Sequence, residues 1–200
     1  MASRRPEGER GGGRAQATRA ILLAAARDVF AAGGFADANI TDVVAKAGAS
    51  VGSLYHHFGG KADLYLALFD DYQASQEQRA AEAVRAARLQ GEADTLKLFL
   101  AGARAYLEGC WEQRDLARVF LDGGGPPGFE LIARRRYREW VGVNTALLNT
   151  DDQPLGDTLV VVLTSVVAEA GREVAVQETE QSATRLAEEF IELLARIGTP

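Results

Sequence analysis

The residues able to do covalent or acid–base chemistry are few and badly spaced for it. Both histidines, His56 and His57, are neighbours in the chain. Adjacent helical residues point about 100° apart, so the two rings cannot readily share a metal ion, and no Cys, Asp or Glu stands at ligand spacing from them. Cys110 is the single cysteine, which excludes an intrachain disulfide. The acidic pairs Asp70-Asp71 and Glu188-Glu189 are adjacent rather than three or four residues apart, and read as solvated faces. The run Gly123-Gly124-Gly125-Pro126-Pro127-Gly128 has no G-K-[ST] ending and no strand before it, so it is a loop and not a phosphate cradle. With no nucleophile motif and no cofactor fingerprint, the chain reads as neither an enzyme nor a metal or cofactor carrier. Small hydroxyl, aromatic and basic side chains concentrate instead between Thr41 and Lys61, a set suited to gripping phosphates and base edges.

Two short helices and a sharp turn must position that set. Asn39 is placed to cap the first helix with its side-chain oxygen, and Asp42 puts a carboxylate near the positive helix end. Val43, Val44 and Ala47 form an apolar stripe, and Gly48 supplies the permissive backbone of a helix stop. Ser50 caps the second helix, whose Leu54 and Phe58 point inward while Val51, Gly52, Ser53, Tyr55, His56 and His57 stay largely outward. This is a helix-turn-helix pattern, whose second helix can lie in a DNA major groove. A preceding helix over residues 15–32, with Leu22, Ala25, Ala26, Val29 and Phe30 at helical spacing and Gly33-Gly34 as its end, braces the reading helix. Phe35 and Ile40 follow as plugs of a three-helix core.

In these residues the chain resembles the TetR (tetracycline-repressor-like) family of bacterial transcription regulators. The pieces are T-R-x-x-L-L-x-A-A at 18–26, V-F-A-x-G-G-F at 29–35, A-G-A-S at 47–50 and G-S-L-Y-H-H-F at 52–58, completed by Lys61 and Leu64. The resemblance implies DNA contacts from Thr41, then Ser50, Val51, Gly52, Ser53, Tyr55, His56 and His57, then Lys61. Tyr55, His57 and Lys61 are expected to hold phosphate, and Thr41, Val51 and Ser53 to face the bases. Val51 departs from the family, which commonly places Lys, Arg or Gln there. No side chain of the reading helix can make a bidentate contact to guanine or adenine, so much of the specificity is expected from DNA shape, from Thr41 or from the N-terminal arm.

Charge is distributed to match. Residues 1–61 hold eight Lys/Arg against five acids, a surplus of three positive charges. With a net charge of −6 for the 200-residue chain, nine negative charges are left for the remainder. Residues 1–14, rich in Arg and Gly, are expected to form a disordered basic arm, residues 15–62 the DNA-binding domain, and residues 63–200 a helical domain for ligand binding and dimerisation. The longest apolar run, Leu159 to Leu163, is too short to span a bilayer, and a cytoplasmic location is the expectation.

The remainder reads as helices over 61–88, 92–113, 115–121, 129–149, 155–176 and 182–197, an all-α protein of about nine helices. The β-branched run from Val160 to Val167 lacks any second strand to pair with and is assigned to helix. Phe99, Tyr106, Cys110, Trp111, Phe120, Phe129, Tyr137 and Trp140 are the candidates for an effector pocket, with the Gly-Pro loop as its rim. The run Arg134, Arg135, Arg136 and Arg138 reads as a solvated face, or as the source of one arginine for an acidic effector. The resemblance implies that the last two long helices pair with their copies in a homodimer through Val160, Leu163, Val167, Gly171, Leu186, Phe190 and Leu194. It also implies a repressor released from operator DNA by a small, largely apolar effector. An effector-independent regulator or activator answering to a protein partner is the alternative.

Overall fold

A computed structural model describes residues 7–121, 124–148 and 156–198, with side chains from residue 13 onward. Among the described residues the chain forms nine helices and no strand. They are α1 (Glu7–Asp37), α2 (Ile40–Ala47), α3 (Val51–His57), α4 (Lys61–Leu89), α5 (Thr95–Glu112), α6 (Arg114–Leu121), α7 (Phe129–Leu148), α8 (Gly156–Ala175) and α9 (Glu180–Gly198). The apolar run of α8 is helical, as its lack of a partner strand required.

Helix α1 starts at Glu7, so residues 7–14, expected as part of a disordered arm, are helical; residues 1–6 lie outside the described set. Acids at positions 7 and 9 suit the positive end of a helix, and glycine weakens a helix without forbidding it. The regular turn breaks at Gly34, whose φ of 65° needs a residue without a Cβ. The polar break and Pro154, expected to start the next helix, also fall outside the described residues.

The chain divides into two units, Met1–Asp71 with Gly124–Pro126, and Tyr72–Gly123 with Pro127–Pro200. The boundary expected after residue 62 thus falls within α4. The reason is burial: Leu64, Tyr65, Leu68 and Phe69 all lie in the interior, and the Tyr65 ring meets Phe30 and Phe35 edge-on at 5.2 and 5.3 Å. In the first unit Leu22, Ala26, Phe30, Val43, Leu54 and Phe58 close the core around the turn. In the second unit α5, α8 and α9 pack together, with Leu107, Cys110, Leu163, Ala170 and Leu194 at the centre of their core.

Candidate functional site

The turn between α2 and α3 is built from local chemistry. Gly48 takes a left-handed conformation (φ 60°, ψ 30°), and its N–H and that of Ala49 close onto Ala45 O and Val44 O at 3.2 and 2.9 Å. Ser50 Oγ accepts the Ser53 N–H at 3.1 Å, the expected cap of α3. Asn39 occupies the cap position of α2 but makes no side-chain cap, contrary to expectation. Its Nδ2 donates instead to Asp37 O at 3.3 Å.

Leu54 and Phe58 anchor α3 from within, at 0% and 5% exposure. Thr41, Ser50, Val51, Gly52, Tyr55 and His56 are exposed, and Ser53 and His57 half-buried, so all eight lie on the open side of the turn. Lys61 departs from its expected role. Its ammonium donates to Phe35 O, Ala36 O and Ala38 O at 2.7, 3.2 and 2.9 Å and sits 4.4 Å over the Phe35 ring. All three N–H donors are used in fastening the α1–α2 joint to the start of α4, which removes Lys61 from the phosphate-holding set. Lys61→Met should lower unfolding free energy by about 2 kcal/mol, as expected for loss of charge-assisted bonds at a half-buried site. The salt dependence of DNA binding by the folded variant should stay as in the unsubstituted protein. A shallower salt slope with unchanged stability would restore Lys61 to the phosphate set.

This segment also matches a known family. The family described as "Bacterial regulatory proteins, tetR family" matches residues 22–68, from the core of α1 through the capped turn into α4. Over these residues the chain is similar to that family. TetR-family proteins are regulators and not enzymes, in keeping with the chemistry read from the sequence. The HTH-type transcriptional regulator TtgR of Pseudomonas putida is 35% identical over 82 residues, which are 41% of this chain and 37% of that protein. The regulator CymR, also of Pseudomonas putida, is 36% identical over 121 residues, 60% of this chain and 51% of that one. The matches thus span about half or less of these relatives' own lengths. A solved TetR-family transcriptional regulator from Pectobacterium atrosepticum superposes with a TM-score of 0.66 at 26% identity, covering 97% of this chain and 96% of that one.

In the second unit a cavity of about 660 Å3 opens between α4, α5 and α7. Small residues hollow it out: Ala80 and Ala81 on α4, Gly102 and Ala103 on α5. Phe99, Tyr106 and Trp140 supply aromatic wall, with Trp140 edge-on to Tyr106 at 4.6 Å, and Val84, Val143 and Leu147 add aliphatic wall. Its size and mostly apolar lining are those of a small-molecule site. The charged members are Glu77, Arg85 and Arg88 on α4 with Arg136 and Glu139 on α7. Arg136 is therefore the one member of the arginine run that turns to the cavity, while Arg134, Arg135 and Arg138 are exposed.

Only three of the eight expected pocket residues line this space. Phe120 and Phe129 fill the core, and Trp111 packs beside it with Arg114 at 4.2 Å over its ring. Tyr137 shares a hydrogen bond of 2.7 Å with Ser165 Oγ. Cys110 is fully buried 3.7 Å from the Tyr72 hydroxyl; burial pushes its thiol up to about 11, against weaker opposing hydrogen bonds from Tyr72 and Tyr106 and the charge of Arg79. The described residues of the Gly-Pro loop, 124–128, do not line the cavity; Tyr65 donates a hydrogen bond to Gly124 O. Sequence reading missed the α4 contribution because an alanine-rich helix looks solvated. The available signal was the coincidence of small residues on α4 and α5, since Gly102 leaves room for Val84 and Ala80.

The residues expected at a dimer contact are corrected by burial. Val160, Leu163, Val167, Gly171 and Leu194 are enclosed within the single chain, so they have no surface to offer a copy. Gly171 faces Tyr106 and Cys110 of its own chain. Leu186 and Phe190 remain half-buried.

Proposed function

We propose that the chain is a sequence-specific DNA-binding transcriptional regulator acting as a homodimeric repressor, with a small, largely apolar effector releasing it from its operator. The observation that carries the reading is the apolar cavity of the second unit, whose wall includes α4, the same helix that begins at the end of the reading motif. An effector that prefers one pose of α4 would spoil the match between two reading helices and half-sites ~34–36 Å apart. A coupling of ~1–3 kcal/mol changes operator affinity ~5–150-fold. Thr41, Val51 and Ser53 face the bases, and Tyr55 and His57 hold phosphate, with Ser50, Gly52 and His56 beside them. No described helix is long and apolar enough to cross a membrane, and a cytoplasmic location goes with this reading.

Selection of duplexes from a random library by the purified protein tests the DNA side. A two-fold-related site should emerge, and Val51→Ala should relax preference for thymine at one position per half-site by about fivefold, the low end of a base contact. Recovery of no duplex preference at moderate ionic strength would end the reading; an unchanged base profile would end the role of Val51 alone. On the effector side, a ligand that occupies the cavity without altering operator affinity would contradict the release mechanism.

A further inference from the structure

The charges of the cavity are segregated along one helix. On α4, Glu77, Ala81, Arg85 and Arg88 all line the space, steps of four, four and three residues that keep them on one face. Glu77 and Arg88 lie ~16 Å apart at 1.5 Å per residue, so the negative end and the positive end of the cavity are distinct. On the opposite wall Glu139 is already taken up by arginines, at 3.1 Å from Arg136 and 3.7 Å from Arg135. Arg85 has only a loose contact of 3.9 Å with Glu82, and Arg88 has no ion-pair partner among the described residues. Arg85 and Arg88, both exposed, therefore stand one turn apart at the open edge of the cavity, with no close carboxylate partner among the described residues. Like charges at that spacing repel, and a bound anion would relieve both.

Resting on the cavity reading above, we propose that the effector is an organic carboxylate: an apolar or aromatic body seated against Phe99, Tyr106 and Trp140, and a carboxylate held by Arg85 and Arg88 at the far end of α4. The guanidinium fork matches a carboxylate with two parallel hydrogen bonds. Arg136, bonded to Glu139 through Nη1, closes the wall.

Titration calorimetry of the full chain with two matched pairs, 2-naphthoate against 2-naphthamide and decanoate against decanamide, tests this. In each pair the carboxylate should bind at least tenfold more tightly. The double variant Arg85→Gln with Arg88→Gln should bring the two members of each pair within twofold of one another. Equal affinities in the unsubstituted protein would overturn the carboxylate assignment and leave the cavity reading standing. Binding by no member of either pair would overturn both. Loss of thermal stability in the double variant with the carboxylate preference intact would confine the two arginines to stabilising the helix end, and would likewise overturn the proposal.

Discussion

A protein carrying Leu193→Asp with Ile197→Asp is expected to sediment as a monomer and to lose operator affinity by 100-fold or more. Helix α9 turns Ala183, Ala187, Ile191 and Leu194 into its own core. The stripe Leu186, Phe190, Leu193 and Ile197 follows a four-three-four spacing on another face. Leu193 and Ile197 are 45% and 37% exposed, and on α8 Val162 is 41% exposed. A continuous apolar stripe on a long helix is a candidate contact surface. Two carboxylates placed on it would have to be buried without partners on pairing, at a cost of several kcal/mol. The affinity loss then follows from valency: a second reading helix held on the same duplex raises overall affinity ~10²–10⁴-fold. Sedimentation velocity and anisotropy on a selected duplex read the two effects separately. A variant that stays dimeric would move the contact to another face; a monomer that binds as tightly as before would remove the need for paired half-sites.

Gly171→Val is expected to lower the melting temperature by about 5–10 °C, the effect of overpacking by ~2–3 kcal/mol in a chain of this size. A Cβ at this position would stand 2.8 Å from Tyr106 Cε1, 2.9 Å from its hydroxyl oxygen and 3.0 Å from Cys110 Sγ. Tyr106 cannot simply swing away, because its ring abuts Trp140 on one side and is buried on the others. Any shift is passed to the cavity wall, so affinity for cavity ligands should fall in the same variant. Gly142→Ala is the control. It lies on α7 with no atom within 4 Å of the new methyl group, and a helical glycine replaced by alanine gains ~0.5–1 kcal/mol. Equal melting temperatures for the Gly171 variant and the unsubstituted protein would mean that α8 and α5 separate more easily than their packing implies.

The reading motif was legible because its determinants are local. Gly48, Ser50, Leu54 and Phe58 fall within eleven consecutive positions and depend on backbone preference, one cap and one apolar spacing. The Lys61 ammonium was misread because its three acceptors lie 23 to 26 residues earlier in the chain, and nothing in the order of residues announces them. Helix α8 hid its inward face for a different reason. Apolar residues surround it, so periodicity alone could not separate the buried Val160, Leu163 and Val167 from the exposed Val161 and Val162. Phe120 and Phe129 were drawn into the core, and the space of the cavity is opened by alanine and glycine on α4 and α5, whose small size rather than chemistry makes the room beside Phe99, Tyr106 and Trp140.

The solitary sulfhydryl of Cys110 has a practical corollary for anyone wishing to watch this molecule move. Enclosed beneath Tyr72 and Tyr106 and held in its protonated form, it is shielded from maleimides and from peroxide alike. A dye-bearing cysteine introduced at an exposed site on α3 or α9 would therefore be labelled alone, with the native residue left in place.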